Sequence, residues 1–222
     1  MFKAVCLISG GLDSAVSTSI AAKDHEIIGV HFNYGQKTEK KELKAFNDLA
    51  DFYNIEIRHE IKIPVYGKLP GSSLTNHNLE ISKQAPKDNE IPQTYVPFRN
   101  GMMLSVAASI AESYGANKIF IGAVWEDSSG YPDCRMDFLK SMEEAIDKGT
   151  RPETKIEICA PIIDMNKSEI IKKGYEIKTP FDLTWSCYCE NHKACGKCES
   201  CYLRLKGFKA AGLKDPILYL KK

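Results

Sequence analysis

The sequence lacks any apolar run of the roughly 20 residues that a membrane span requires. It also lacks a strong charge of either sign, because its 222 residues carry a formal net charge of only +1. A neutral balance provides no bulk attraction for nucleic acid or for an anionic membrane. The N-terminus has no long apolar, signal-like segment. We therefore expect a cytoplasmic protein that acts on small molecules, with neither a nucleic acid nor a membrane as partner.

Two common nucleotide-binding motifs are missing as well, namely Gly-x-x-x-x-Gly-Lys-Ser/Thr and Gly-x-Gly-x-x-Gly. The sequence instead has Ser-Gly-Gly-Leu-Asp-Ser at residues 9–14, between an apolar run and a helical pattern. A strand, a glycine turn and a helix start direct free backbone amides at an anion, and glycines let the backbone approach it closely. Asp13 is a candidate helix cap whose carboxylate would lie near the anion and would either orient the loop or help to hold Mg²⁺. An ordinary turn between a strand and a helix is the alternative.

Apolar, strand-like runs alternate with amphipathic helical patterns along the chain. The strand-like runs lie at 4–8, 26–32, 55–63, 118–124 and 155–160. The helical patterns lie at 15–22, 37–53, 101–114 and 136–148, and a further one follows Asn166. This alternation predicts an α/β fold, a doubly wound and mostly parallel five-stranded sheet with right-handed crossovers. Ligands of such sheets bind at the carboxyl ends of the strands.

Segment 64–93 interrupts this alternation, since it is rich in Pro, Gly, Asn, Ser and Lys and has little apolar periodicity. A connection of this length inside a compact domain is usually a functional lid or a disordered segment. We favour a mobile lid over the site, and plain disorder is the alternative.

Two basic residues are candidates for binding an anion. Arg99 precedes a helix and could pair with phosphate or carboxylate through two parallel hydrogen bonds; a solvated arginine is the alternative. Lys167 lies in the first turn of a helix that Asn166 and Glu169 can start as a capping box. A lysine there opposes the helix dipole, which favours a role in binding an anion.

The loop after the fourth strand is rich in polar and charged residues. Glu126, Asp133 and Arg135 lie on it, with Tyr131 among them. A carboxylate can accept hydrogen bonds from the N–H edge of a guanine-type base, so this loop could bind a polar heterocycle. A polar surface loop without a ligand is the alternative.

Five of the eight cysteines lie within residues 187–201. Two-residue gaps let neighbouring thiolates converge on one ion, and four sulfurs form a closed tetrahedral site for a structural Zn²⁺. The predicted ligands are Cys187, Cys195, Cys198 and Cys201. Either Cys189 or His192 could replace one of these ligands, and Cys187 is the ligand most open to replacement. An iron–sulfur cluster and a set of reduced thiols without metal are the alternatives.

Residues 9–14 resemble the pyrophosphate loop of the N-type ATP pyrophosphatases, Ser-Gly-Gly-x-Asp-Ser. Further motifs match one family of that superfamily, and they lie at 32–36, 96–100, 129–135 and 184–201. With them the chain resembles the 7-cyano-7-deazaguanine synthases of queuosine precursor biosynthesis. It departs from the family pattern at Lys37 and Thr38, where Arg-His is usual, and at Phe98, where glycine is usual and a phenylalanine would resist a positive φ.

The resemblance implies an adenine nucleotide α-hydrolase-like domain at residues 1–180 and a zinc-binding module at 181–222. It implies an ATP-dependent ligase that converts 7-carboxy-7-deazaguanine and ammonium to the nitrile through an adenylated carboxylate, an amide and an adenylated amide. It also implies ATP with Mg²⁺ as co-substrate, one structural Zn²⁺ per chain and a homodimer. The implied ATP-binding residues are Ile8, Ser9, Gly10, Gly11, Leu12, Asp13, Ser14 and Ala15. Asp13, Arg99 and Lys167 would be catalytic, and Glu126, Asp133 and Arg135 would bind the base.

Two other classes of function fit parts of the sequence. An adenylating tRNA-modifying enzyme, such as a sulfurtransferase, would share the loop but would need a redox-active cysteine pair near it and usually an RNA-binding appendage. A zinc-ribbon-like binding module on a nucleotide-sensing domain would have no chemistry of its own.

Overall fold

The computed structural model describes residues 2–82, 91–124 and 131–221. Within them, five strands form one sheet. The strands are β1 (Phe2–Leu7), β2 (His25–Asn33), β3 (Ile57–Lys62), β4 (Lys118–Phe120) and β5 (Glu157–Cys159). Their order is β3-β2-β1-β4-β5, and every neighbouring pair is parallel. The predicted α/β class and five-stranded sheet are confirmed, and the sheet of the described residues is wholly parallel.

Six α-helices connect or follow these strands in the described residues. They are α1 (Leu12–Ala21), α2 (Glu39–Phe52), α3 (Arg99–Tyr114), α4 (Met136–Gly149), α5 (Lys167–Glu176) and α6 (Glu199–Ala211). Gly115 ends α3 in the left-handed conformation, with a φ of 66°. The predicted capping box starts α5, because Asn166 and Glu169 each bond the backbone N–H of the other.

The alternation of side chains along β1 divides the core between the two faces of the sheet. Ala4, Cys6 and Ile8 pack on one face, against residues of α1 and α2. Val5 and Leu7 pack on the other face, against residues of α3 and α4. Because both faces are covered, β1 is apolar and buried from Ala4 to Leu7, as is typical of a central parallel strand.

The strand order reverses direction at β1. The chain passes from β1 to β2 and β3 on one side, and then crosses to β4 and β5 on the other. The connections after β1 and β4 therefore diverge and leave a crevice at the carboxyl ends of these two strands, where ligands bind in doubly wound sheets.

β4 is shorter than the apolar run at 118–124 predicts. Ile121 still donates a backbone hydrogen bond to Cys159 O (2.9 Å), but regular pairing ends at Phe120. Ile121, Ala123 and Val124 are buried and line a cavity. The apolar run extends beyond the end of β4 because its last residues form an apolar wall of the cavity. The length of the run therefore overestimates the length of the strand.

The described parts of the predicted lid are packed against the domain. Tyr66 and Leu74 are buried in the main core cluster. Ser73 N donates to Gln93 O (2.8 Å), and Lys37 N donates to Leu74 O (3.1 Å). Residues 83–90, the middle of the predicted lid, lie outside the described residues, so the lid stays a prediction.

The C-terminal segment shares its core with the sheet. Cys187, Cys198 and Cys201 belong to the same buried cluster as Val5 and Leu7, and α6 packs along α5. A backbone hydrogen bond joins Trp185 N to Gly10 O (2.8 Å). Among the helices in the described ranges, none combines the length and the hydropathy of a membrane span.

Candidate active site

The loop between β1 and α1 is shaped by its glycines. Gly10 has a φ of 86°, and a Cβ at this position would lie 2.7 Å from Glu42 O and 2.9 Å from the Cβ of Ala45. No other residue type fits this conformation and this space. The hydroxyl of Ser9 donates to Ser14 Oγ (3.0 Å) and accepts from Gly11 N (3.2 Å), so the loop is closed on itself.

Gly122, just beyond β4, determines how closely the loop approaches the neighbouring strand. A Cβ at Gly122 would lie 2.7 Å from Ser14 N and 2.8 Å from the carbonyl carbon of Asp13. The start of α1 therefore rests directly on the backbone after β4. The sequence analysis missed this residue, because a lone glycine after an apolar run does not reveal the distant segment that contacts it.

Asp13 lies inside α1 and does not cap it, contrary to the sequence prediction. Gly11 is the N-cap residue, because the closed loop starts the helix earlier than predicted. The carboxylate of Asp13 is therefore available to a partner across the crevice, and its Oδ1 lies 2.7 Å from Lys167 Nζ. The stem of Lys167 rests on Gly207 of α6, where a Cβ would lie 2.5 Å from Lys167 Cγ.

A cavity of about 270 Å³ opens at the carboxyl ends of β1 and β4. Its volume is close to that of small-molecule sites. It is lined by most of the residues predicted to bind ATP, namely Ile8, Ser9, Gly11, Leu12, Asp13 and Ser14. The predicted catalytic residues Arg99 and Lys167 line it too. Gly10 and Ala15 are buried behind this surface.

Tyrosines and Arg99 form another wall of the cavity. Arg99 Nη1 donates to the Tyr34 hydroxyl (3.0 Å), and its guanidinium carbon lies 5.4 Å from the centre of the Tyr34 ring. Burial raises the pKa of Tyr34 and of Tyr131, so both phenols are neutral at neutral pH. A neutral phenol does not cancel the charge of Arg99, which can therefore attract an anion.

The loop predicted to bind a heterocycle is placed differently from the residues predicted to bind ATP. Asp133 is buried, and its Oδ2 accepts from Asn100 N (2.9 Å) at the start of α3. Arg135 is exposed at the start of α4. Neither lies in the lining of the cavity. Glu126 lies outside the described residues, and the assignment of all three to the base stays a prediction.

The four predicted zinc ligands converge. The Sγ atoms of Cys187, Cys195, Cys198 and Cys201 all lie within 4.8 Å of one another. Cys195 Sγ and Cys201 Sγ are 3.9 Å apart, and a tetrahedral ion with Zn–S bonds of about 2.3 Å separates its sulfurs by about 3.8 Å. The backbone N–H groups of Cys195 and Cys198 point at the sulfurs of Cys187 and Cys195 (3.3 Å each). This donor set fits a four-coordinate zinc ion, and it includes neither Cys189 nor His192.

Comparison with known proteins identifies the family. The model of the queuosine biosynthesis protein QueC matches residues 3–212. The chain belongs to the QueC family. A 7-cyano-7-deazaguanine synthase of Nautilia profundicola is 50% identical over 223 residues, which cover 100% of each chain. A 7-cyano-7-deazaguanine synthase of Chloroherpeton thalassium is 53% identical over 218 residues, which cover 98% of this chain and 96% of the relative.

The fold of this QueC chain extends to more distant proteins. A solved structure, described as a predicted subunit of a tRNA methyltransferase from Methanocaldococcus jannaschii, superposes with a TM-score of 0.51 at 16% identity. The match covers 100% of this chain and 93% of the other. At this identity the likeness concerns the fold alone.

The cysteine-rich segment of this QueC chain also contributes to the cavity, which the sequence analysis did not anticipate. Trp185, Tyr188 and Glu199 line it beside the loop of residues 9–14. The sequence analysis assigned only metal binding to this segment, although Tyr188 and Glu199 lie next to cysteines and Trp185 lies two residues before Cys187. Aromatic and acidic residues beside and between the predicted metal ligands could have indicated that this segment also lines the site.

The C-terminal tail holds the cysteine segment in place. Ala194 N donates to Leu218 O (2.8 Å), and Leu220 N donates to Ala194 O (2.9 Å). A buried ion pair joins Arg204 of α6 to Asp215, with 2.7 Å between Nε and Oδ2. These contacts pack the C-terminal tail, α6 and the cysteine segment into one unit, which forms part of the wall of the cavity.

Proposed function

We propose that this QueC-family chain is a 7-cyano-7-deazaguanine synthase. It uses ATP to convert 7-carboxy-7-deazaguanine and ammonium to the nitrile. The observation that carries the proposal is the cavity, where the glycine loop after β1, the basic residues of α3 and α5, and the cysteine module meet. The full-length similarity to relatives of that name supports the choice of substrate.

The first half of the reaction makes an amide. A carboxylate oxygen of the substrate attacks the α-phosphorus of ATP, and pyrophosphate leaves. Backbone amides at the start of α1, with the hydroxyls of Ser9 and Ser14, hold the pyrophosphate. Arg99 and Lys167 offset the charge that develops on the phosphates. Ammonia then attacks the acyl carbon, and AMP leaves with the oxygen that was adenylated.

The second half removes the remaining oxygen. The amide oxygen attacks the α-phosphorus of a second ATP and displaces pyrophosphate. Loss of AMP and two protons from the adenylated amide leaves the nitrile. The same loop can serve both halves, because each is an attack of an oxygen on the same phosphorus with the same leaving group.

Two metal ions belong to this proposal. Asp13 is the loop carboxylate that would hold the Mg²⁺ accompanying ATP, an ion that neutralises phosphate charge. Zinc would be structural, since four thiolates leave no open position for substrate. The homodimer and the cytoplasmic location that the family resemblance implies stay predictions.

A tRNA sulfurtransferase, the alternative from the sequence, is not favoured by the cysteines near the loop. Burial raises the pKa of the Cys134 thiol to about 11, and burial also raises that of Cys6. A reactive cysteine requires a lowered pKa and exposure. Cys6 and Cys134 therefore lack the lowered pKa that a reactive cysteine needs.

A product assay tests the proposal. The full-length, zinc-loaded protein is incubated with 7-carboxy-7-deazaguanine, ammonium, Mg²⁺ and ATP, and products are quantified by mass spectrometry. We expect the nitrile with AMP and pyrophosphate. Amide alone would limit the function to the first half. AMP formed only with tRNA and a sulfur donor would contradict the choice of substrate.

A further inference from the structure

Ser186 places a hydroxyl group in the wall of the cavity. It lies in the cysteine-rich segment, between Trp185 and the predicted metal ligand Cys187, and it is partly exposed. Its Oγ accepts a hydrogen bond from Nη1 of Arg204 (3.1 Å). Within the described ranges, no acceptor lies within hydrogen-bond distance of the Ser186 hydroxyl for its own hydrogen. The hydroxyl can therefore donate to a ligand in the cavity.

Thr184 shows the contrasting case at the same guanidinium group. Its Oγ1 accepts from Arg204 Nη1 (2.7 Å) and donates to Phe181 O (2.7 Å), so its hydrogen is already used. Thr184 is buried and does not lie in the lining of the cavity. Two hydroxyls thus share one guanidinium nitrogen, and the one that lines the cavity is the one whose hydrogen has no acceptor in the part of the chain that the structure describes.

Arg204 lines the cavity as well, but it has no donor left for a ligand. A guanidinium has five N–H groups. Here they bond the two carboxylate oxygens of Asp215, the hydroxyls of Thr184 and Ser186, and Phe181 O. A hydroxyl that accepts from a guanidinium becomes a stronger donor, because successive hydrogen bonds polarise one another. Ser186 is therefore the group through which this buried cluster can bind an anion.

Ser186 lies beside the loop between β1 and α1. Trp185 N donates to Gly10 O (2.8 Å). A Cβ at Gly11 would lie 3.8 Å from Trp185 O and 3.3 Å from Ser9 Oγ. The chain at Trp185 therefore runs along the glycines of the loop, and Ser186 follows it directly. A phosphate group held by backbone amides at the start of α1 is within reach of this hydroxyl.

We propose that Ser186 donates a hydrogen bond to the β- and γ-phosphates of ATP, which leave as pyrophosphate. The oxygens of these phosphates carry negative charge, and hydrogen bonds to charged oxygens are stronger than neutral ones. The cysteine-rich segment then has a second purpose, because the residue before its first predicted metal ligand contacts the leaving group. This inference rests on the proposed function, which supplies ATP as the ligand.

The test compares a ligand that is the leaving group with one that lacks it. Binding of pyrophosphate with Mg²⁺ and binding of AMP are measured by calorimetry on the zinc-loaded protein. Ser186→Ala should weaken pyrophosphate binding by roughly 10- to 100-fold, the range expected when a hydrogen bond to a charged group is lost. AMP should bind as tightly as it does to the wild type, because it has neither of the phosphates that Ser186 contacts.

Further variants separate the lost donor from a change in structure. Ser186→Thr keeps the hydroxyl and should bind pyrophosphate as the wild type does. Thr184→Val removes the other hydroxyl at Arg204 Nη1. It should be less stable, because a buried N–H loses its acceptor, and should keep the affinity for pyrophosphate. Should Ser186→Ala not fold, Ser186→Asp replaces it, since its carboxylate can still accept from Arg204 and would repel a neighbouring pyrophosphate.

The outcomes separate this inference from the function on which it rests. Ser186→Ala that binds pyrophosphate as tightly as the wild type would overturn the role of Ser186. Equal weakening of pyrophosphate and AMP would also overturn it, because a merely structural residue acts on both ligands. Pyrophosphate binding does not depend on which substrate is adenylated. A wild type that binds pyrophosphate through Ser186 but forms no nitrile would therefore contradict the proposed function alone.

Discussion

Lys167 Nζ lies 2.7 Å from Asp13 Oδ1, and this ion pair joins the first turn of α5 to the first turn of α1 across the crevice. It brings together a cation and the carboxylate of the loop at residues 9–14, which are 154 residues apart in sequence. Both side chains line the cavity, and they are partly accessible, since Lys167 is 13% exposed and Asp13 is 33% exposed. A phosphate group entering the cavity can therefore reach the lysine while Asp13 remains beside it.

Asp13→Asn should lower AMP formation at least 100-fold and leave the fold intact. The substitution keeps the shape of the side chain but removes the charge beside Lys167 and the phosphates. The pair is partly exposed, so its loss costs little stability. AMP release and thermal unfolding are measured together. Asp24→Asn, an exposed control beyond the other end of α1, should match the wild type; undiminished turnover of Asp13→Asn would refute its assignment.

Gly122→Ala should weaken ATP binding and lower the free energy of unfolding by about 1–3 kcal/mol. The new Cβ would lie 2.7 Å from Ser14 N, and backbone must move to accommodate it. Nucleotide affinity and urea unfolding measure the two effects. Gly149→Ala adds the same methyl group where nothing lies within 4 Å. If Gly122→Ala bound ATP as tightly as this control, the close approach would not matter to the site.

Part of this site could be predicted from the sequence. Residues 9–14 and the four cysteines are local patterns, because each motif's own spacing determines its geometry. The five strands follow from apolar periodicity, which local sequence also records. The contact of Gly122 with Ser14 and the ion pair of Asp13 with Lys167 depend on segments far apart in the chain, and no local pattern contains that information.

Cys198→Ser should lose bound zinc, whereas Cys189→Ser should retain it. Cys198 belongs to the group of four converging sulfurs, and Cys189 does not. Metal content per chain is measured on both purified variants. Because the same segment lines the cavity, the metal-free variant should lose activity too. Loss of zinc from Cys189→Ser, or its retention by Cys198→Ser, would show that the ligand set is wrong.

Phe98 has a φ of 53° and so occupies a left-handed conformation that phenylalanine disfavours. Its ring contacts Phe138 edge-on, with centroids 5.7 Å apart. Phe98→Gly should change the free energy of unfolding by less than about 1 kcal/mol, because relief of strain offsets the lost ring contact.

Phe98→Val should be less stable than Phe98→Gly by about 2 kcal/mol, since a β-branched residue loses the ring and tolerates positive φ poorly. Urea unfolding of both variants measures this difference. Equal stability would show that the turn relaxes to another conformation. The glycine that is usual in the family at this position is then explained by the same backbone requirement.

The buried thiol of Cys134 predicts a pH dependence of stability. Burial raises its pKa from 9.0 to about 11. The unfolded chain releases this proton at lower pH than the folded chain, so the thiol's stabilising contribution is complete below pH 9 and is lost as pH rises toward 11. Between pH 7.5 and 10.5, the free energy of unfolding of the wild type should fall by about 2 kcal/mol more than that of Cys134→Ser. A constant difference between the two in urea unfolding would contradict this.

The central claim is that the chain adenylates the substrate's own oxygens, and oxygen isotopes test it most directly. 7-Carboxy-7-deazaguanine labelled with ¹⁸O in both carboxylate positions is converted with unlabelled ATP in unlabelled water. Mass spectrometry of the AMP should find one ¹⁸O in each molecule released, from the acid in the first half and from the amide in the second. Unlabelled AMP accompanying nitrile formation would contradict the account.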